Sequence, residues 1–360
     1  MMASERLKFL NGMRITAIVW LGVVLVLVGC QVNKQSGTRE GSTANTRSEA
    51  SIGILGDTSN VDTETESGFI VMGGGPDVDE AMKWMIERSG GGDFVIVRAT
   101  GTDAYNPYID GLGEVNSVET LKIDTYSLAL DSSVAETIYE AEAIFMAGGD
   151  QSDYVDLWMG TNVGDAINYL INEKKVPVGG TSAGAAIMGG FGFSAMKGTI
   201  TSEEALQNPY HENIMFYKDD FLDISELKNT IVDQHYIERN RQGRHITFMA
   251  SLAYENPKTV RGIGVDEETA VAINAEGKAR VLGKSKALFL EEVNPNIDPE
   301  VFEFNVPLTW NNNGKAVHGY EISSRSDDQL QFDLVDWRPL ADENAFFYYV
   351  KEGALLRSDE

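Results

Sequence analysis

An α/β fold is what this 360-residue sequence predicts: a mostly parallel sheet with helices on both faces, and a β-rich extension at the C-terminus. Two observations carry the prediction. Short runs that are apolar at every position alternate with segments of helical period, as strands buried on both faces require. Several of those runs also end in glycine-rich turns, Gly73-Gly74-Gly75-Pro76 and Gly148-Gly149-Asp150-Gln151 among them, which punctuate strand-to-helix connections. An apolar fraction of 42% supplies a core, and 29 Lys+Arg against 55 Asp+Glu leave a formal charge of −26. A field of that sign repels phosphates, so nucleic acid is not an expected partner.

The elements follow in chain order. Residues 1–30 read as an export signal: Arg6, Lys8 and Arg14 precede an apolar run, Ile15 to Gly29, of 15 residues. A spanning helix needs roughly 20. The run ends Leu27-Val28-Gly29-Cys30, which resembles a bacterial lipobox, and Cys30 is the one cysteine of the chain. The expectation is an exported protein, lipid-anchored through Cys30 to the cell envelope (the outer membrane in a Gram-negative host) or secreted. Residues 31–66 are rich in Ser, Thr, Gly, Asn and acid and read as a flexible linker, with Ile52-Gly53-Ile54-Leu55 as a short sticky exception.

The α/β domain is expected over residues 67–292. Phe69-Ile70-Val71-Met72 is the first strand, and Asp77 to Arg88 follows with helical period. Phe94-Val95-Ile96-Val97, Leu121-Lys122-Ile123 and Ala143-Ile144-Phe145-Met146 are the next three strands. Val163 to Asn172 is a helix, and Val176-Pro177-Val178 a fifth strand. Ligands of such sheets collect at the strands' carboxyl ends. Beyond Asn256, four runs (Gly262–Val265, Ala270–Ile273, Ala279–Leu282 and Ala287–Leu290) read as strands extending the sheet antiparallel, with Glu276-Gly277 as a hairpin turn. Residues 293–360 form the β-rich extension packed on this domain.

The chemistry centres on Gly180-Thr181-Ser182-Ala183-Gly184, a G-x-S-x-G elbow between a strand and a helix start. Such an elbow presents the serine hydroxyl in strained backbone geometry. The Ala183 amide and Gly149, at the end of another strand, are candidate oxyanion donors. A serine nucleophile needs a base. Of His211, His235, His245 and His318, only His235 lies at the carboxyl end of an apolar strand, Thr230-Ile231-Val232. Arg239, Arg241 and Arg244 follow it, suited to holding substrate carboxylates. Glu203, Glu204 and Asp233 are candidates to orient the imidazole. No His, Cys or carboxylate cluster has metal-ligand spacing, and Val78 replaces the third glycine of a dinucleotide fingerprint, so neither metal nor cofactor is expected.

Four blocks resemble the cyanophycinase branch of the S51 serine peptidases, relatives of aspartyl dipeptidase E. They are Gly148-Gly149-Asp150-Gln151, Gly179–Gly184, Asp233-Gln234-His235 with its arginines, and Gly262-Ile263-Gly264-Val265-Asp266-Glu267. The resemblance implies a fold like the class I glutamine amidotransferases, with Ser182 as nucleophile and His235 as base. It implies a Glu as third member, Glu204 preferred and Glu203 as alternate. Gln151, Asp233, Gln234, Arg239, Arg241 and Arg244 match substrate-binding positions of the family. The implied activity is hydrolysis of cyanophycin, a polyaspartate carrying arginine on its side chains, to β-Asp-Arg dipeptides through an acyl-enzyme. An aspartyl or isoaspartyl dipeptidase and a non-catalytic lipoprotein binding arginine-rich ligands are the alternatives. The expected partners are then a peptide or cyanophycin, the membrane through the lipid anchor alone, and, as an option, a second copy in a homodimer.

Overall fold

Near the centre of the first sheet, Gly68–Met72 (β2) is buried along its whole length and alternates its side chains between two cores. Phe69 and Val71 face one and Ile70 and Met72 the other. The computed structural model describes residues 48–218, 221–256 and 258–359; the expected signal sequence, Cys30 and the first part of the expected linker lie outside them.

Before β2 comes β1 (Ser51–Gly56); after it come α1 (Asp79–Arg88), β3 (Asp93–Arg98), α2 (Tyr105–Asp110) and β4 (Ser117–Lys122). Helices α3 (Tyr126–Ala129) and α4 (Ser132–Glu140), β5 (Ala143–Met146), α5 (Gln151–Trp158), α6 (Asn162–Tyr169) and β6 (Pro177–Thr181) complete the alternating part. Strands β4, β3, β5, β6 and β2 lie side by side, all parallel. One face packs Ala81, Met82 and Met85 of α1 and Ile109 of α2; the other packs α4, α5 and α6. The α/β fold expected from the sequence is present.

Four short elements then lead to the second half: α7 (Ala183–Ala186), β7 (Phe191–Phe193), α8 (Ser202–Gln207) and β8 (Phe216–Lys218). Next are β9 (Thr230–Gln234), α9 (Gln242–Glu255), β10 (Arg261–Val265), β11 (Thr269–Asn274), β12 (Lys278–Gly283) and β13 (Lys286–Glu292). The C-terminal strands are β14 (Val317–Ser323), β15 (Phe332–Asp333), β16 (Arg338–Pro339), β17 (Asn344–Lys351) and β18 (Ala354–Asp359).

Three expectations change here. First, β11 and β12 extend the first sheet antiparallel from β2, but β10 and β13 do not. They join β9 in a second sheet, ordered β18-β17-β14-β13-β10-β9-β7-β8 among the described residues, in which β7, β9 and β10 run parallel. Val232, Ile263, Val265 and Phe289 of this sheet share a core with the first sheet, while Ile231, Leu288 and Leu290 pack under α9. Second, the expected β-rich C-terminal extension is present, but its strands are divided between the sheets: β14, β17 and β18 extend the second, and β15 and β16 extend the first. Third, the linker expected to run to residue 66 is ordered from Ser51, because β1 pairs antiparallel with β4 and satisfies the backbone of an otherwise open edge. Residues 57–67 stay tied to the body, where the Thr63 hydroxyl donates to the Ser89 carbonyl at 2.5 Å and the Glu66 amide to Arg88 at 2.9 Å.

Candidate active site

The elbow forms where β6 meets α7. Ser182 has φ 51° and ψ −113°, a conformation non-glycine residues rarely adopt. Close packing imposes it: a Cβ on Gly180 would lie 2.5 Å from the Gly184 carbonyl carbon, and one on Gly184 would lie 2.0 Å from the Met146 carbonyl oxygen at the end of β5. Only glycine fits at either position, and the chain must turn with the serine outward. The Ser182 amide donates to the Met72 carbonyl at 3.1 Å, fixing the elbow to the end of β2.

His235 reaches Ser182 from the other sheet. Its Nε2 lies 2.7 Å from Ser182 Oγ, and its Nδ1 lies 2.6 Å from Glu267 Oε1. A carboxylate only accepts, so Nδ1 carries the proton and Nε2 is left to accept from the serine hydroxyl. Burial pulls the imidazole pKa below its ordinary value; the Glu267 hydrogen bond opposes this, and the Arg239 and Arg241 charges add to the lowering. The ring is therefore neutral at neutral pH, as a base must be.

Glu267 corrects the expectation of Glu204 or Glu203. Glu204 closes a capping box at the start of α8: its carboxylate accepts from the Thr201 amide (2.9 Å) and hydroxyl (2.8 Å), and its own amide donates to Thr201 Oγ1 at 3.2 Å. Glu203 is exposed on the same turn. Glu267 comes instead from the parallel pairing of β9 with β10, which sets Val265 opposite Gln234. Both chains leave their strands on the same edge, and Glu267 ends up beside the imidazole. It stood in the Gly262–Glu267 block; its signal was a carboxylate just past an apolar strand end, as His235 is.

The triglycine loop also belongs here. The Gly73 carbonyl accepts the His235 amide at 2.8 Å, and a Cβ on Gly74 (φ 96°) would strike the His235 ring at 2.4 Å. Gly75 lies against the Glu267 side chain. The glycines let the backbone pass flat beneath the His–Glu pair.

The arginines divide. Asp233 is buried and bound by its own chain: Arg244 Nε donates to Oδ2 at 2.8 Å and Nη2 to Oδ1 at 2.5 Å, and Arg241 Nη1 approaches Oδ1 at 3.3 Å. Burial alone raises a carboxylate's pKa; here the Arg244 and Arg241 charges outweigh it and hold Asp233 below the usual range. Arg241 also donates to the Gln234 carbonyl at 2.9 Å, and burial lowers its pKa to about 10. The Arg244 guanidinium lies beside the stacked Phe193 and Phe248 rings, 5.5 and 5.6 Å from their centroids. The expectation that Asp233, Arg241 and Arg244 contact substrate is thus corrected: the two guanidiniums share the one Asp233 carboxylate beneath the His235 turn. Arg239 is exposed. Gln234 is buried, with Oε1 unpartnered, and Gln151 Nε2 donates to the Phe193 carbonyl at 3.2 Å.

Of the expected oxyanion donors, Ala183 opens α7 directly after Ser182. On the second loop Gly148 is the residue against Ser182, its added Cβ falling 3.5 Å from the serine Cβ, whereas Gly149 faces the Tyr154 hydroxyl and Thr100. Among the described residues no group of three or more His, Cys, Asp and Glu is placed to hold a metal ion.

Comparison with known proteins places the chain in a family. The model of peptidase family S51 matches residues 96–281. A cyanophycinase of Trichormus variabilis is 29% identical over 197 residues, covering 54% of this chain and 60% of that protein. A cyanophycinase of Geminocystis herdmanii is 29% identical over 161 residues, covering 45% and 53%. The chain thus aligns with about 60% or less of these curated relatives' length. A solved structure, a peptidase from an acI-B1 Actinobacterium, covers 63% of this chain and 91% of its own at 18% identity and a TM-score of 0.46.

Proposed function

Starting from a chain that belongs to peptidase family S51, we propose that it is a serine-type peptidase whose triad is Ser182, His235 and Glu267. The observation that carries this reading is the unbroken hydrogen-bonded line from the Ser182 hydroxyl through the imidazole to the Glu267 carboxylate. In the proposed reaction His235 Nε2 takes the Ser182 proton as Oγ attacks the scissile carbonyl. The oxyanion is met by backbone amides at Ala183 and the Gly148-Gly149 loop. The imidazolium then protonates the leaving amine, and water, deprotonated by the same ring, resolves the acyl-enzyme. Glu267 holds the ring and stabilises its charged form.

The substrate we propose is cyanophycin, released as β-Asp-Arg. Relatives bearing the name cyanophycinase support it, as does a net charge of −26, which draws in guanidinium side chains. The exposed Arg239, close enough to perturb His235, is the guanidinium of the trio we assign to an aspartyl carboxylate. We further propose that the protein works outside the cell, tethered through a lipid on Cys30; radiolabelled lipid found on wild type and equally on Cys30→Ser overturns that.

The test of activity is incubation of purified protein with insoluble cyanophycin and, separately, with Asp-X dipeptides. Release of β-Asp-Arg is expected, with kcat/KM rising with pH along a limb below the ordinary imidazole range. Cleavage of dipeptides alone replaces the substrate; ligand binding without turnover on either replaces the enzyme with a binding protein. Ser182→Ala should lower kcat on the order of 10⁵- to 10⁶-fold.

A further inference from the structure

The loops that carry His235 and Glu267 clasp each other. The Asp266 carboxylate accepts the Ile237 amide on Oδ1 at 3.2 Å, and in return the Glu267 amide donates to Glu238 Oε2 at 3.2 Å. Asp266 Oδ2 accepts the Ser285 hydroxyl at 2.7 Å, and the Asp266 amide donates to the Lys286 carbonyl at 3.3 Å. Its carbonyl lies where a Cβ on Gly73 would fall, 1.9 Å away, and the Gly73 carbonyl in turn accepts the His235 amide. Asp266 is fully buried, and no cationic side chain hydrogen-bonds to it among the described residues. Burial raises its pKa, with the Ser285 hydrogen bond opposing.

A carboxyl in that setting is a poor choice for stability alone: burying it is costly, and an apolar side chain of similar size packs without the cost. What the carboxyl supplies is two acceptors in fixed directions, one on the His235 turn and one on the hairpin beyond β12. The turn needs such a hold, because His235 sits at φ 48° and a strained residue keeps its conformation only where its surroundings over-determine it. We propose that Asp266 is a positioning residue that keeps His235 Nε2 on the Ser182 hydroxyl, with Glu238 as the reciprocal half of the clasp. This rests on Ser182, His235 and Glu267 being the triad, and on nothing about substrate.

The test reads that alignment directly, as the rate at which a fluorophosphonate labels Ser182, alongside kcat and KM. Asp266→Ala should slow labelling and lower kcat by about ten-fold or more with KM within about two-fold, since small misplacements of a catalytic group cost one to two orders of magnitude. Asp266→Asn, whose Oδ1 still accepts the Ile237 amide, should recover most of the loss. Glu238→Ala and Ser285→Ala should each slow labelling several-fold, and they carry the test where Asp266→Ala does not fold. A merely structural role predicts lower melting temperatures with unchanged labelling per folded molecule. Normal labelling of wild type with unchanged rates in the folded variants overturns the clasp alone; absence of label on Ser182 in wild type overturns the triad with it.

Discussion

The elbow at Gly180–Gly184 and the turn at Gln234–Arg244 both force an ordinary residue to positive φ, Ser182 at 51° and His235 at 48°, and they do so by opposite means. The elbow is neutral and is held by missing volume: backbone lies on backbone wherever a side chain would stand. The turn is full of charge and is held by pairing, with Asp233 clamped between two guanidiniums and Arg241 reaching on to the Gln234 carbonyl. The hydrogen bond between Ser182 and His235 joins the two across the seam between the sheets. Strain kept by close packing is therefore broken by adding a methyl group, and strain kept by ion pairing by removing a charge.

Among variants that test this contrast, the largest effect belongs to the end of the line on the turn's side. Glu267→Gln keeps the size of the side chain but presents the imidazole with a group that can donate as well as accept, favouring the wrong tautomer. Its kcat should fall about 10³- to 10⁴-fold with KM little changed. A kcat within ten-fold of wild type in steady-state assays would break the assignment of the acid.

Next comes Asp233→Ala, which leaves Arg244 and Arg241 buried without their partner. Breaking a buried pair from one side costs about 3–5 kcal/mol, read from urea unfolding. Replacing Asp233 and Arg244 together by Leu and Met should recover much of that, because two apolar groups fill the space without uncompensated charge. If Asp233→Ala unfolds like wild type, pairing does not hold the turn.

Gly184→Ala tests the elbow. The new methyl would stand 2.0 Å from the Met146 carbonyl oxygen, and a backbone atom cannot swing aside as a flexible side chain can. Overpacking of this kind costs about 1–3 kcal/mol, and kcat should fall with it because the relief available is movement of Ser182 itself. Wild-type stability together with wild-type activity would remove packing as the source of the strain.

The same contrast explains what the sequence made legible. The elbow's determinants lie within five residues behind a recognisable strand, so Ser182 could be read locally; His235 could be placed because an apolar strand ran into it. The runs now seen as β2, β3, β5 and β9 to β13 were visible as strands. Which sheet each joined was not, because membership depends on pairing partners and not on composition. Glu267 was hidden for that reason: it reaches the imidazole only through the register of β9 against β10, with all of α9 between them in the chain. The arginines misled because their partner, Asp233, lies across a turn whose path no local pattern reports. An acidic chain made them look like a site for substrate, when two of the three serve the fold.

The smallest effect separates the two glutamates most cleanly. Glu204 closes the Thr201 capping box in an exposed first turn, so Glu204→Ala should cost about 1 kcal/mol, as loss of a cap interaction does. Its helix does touch the catalytic turn, but through another residue: the Ser202 hydroxyl donates to the Asn240 carbonyl at 2.5 Å and accepts the Arg244 amide at 3.0 Å. Those bonds survive the loss of the Glu204 carboxylate, so kcat should stay within two-fold while the unfolding midpoint drops. Ser202→Ala should reverse the emphasis, loosening the turn and lowering kcat several-fold, as expected when a supporting contact is removed from a catalytic group. A fall in kcat for Glu204→Ala approaching that of Glu267→Gln would return Glu204 to the reaction; an unchanged midpoint would show that the box does not stabilise α8.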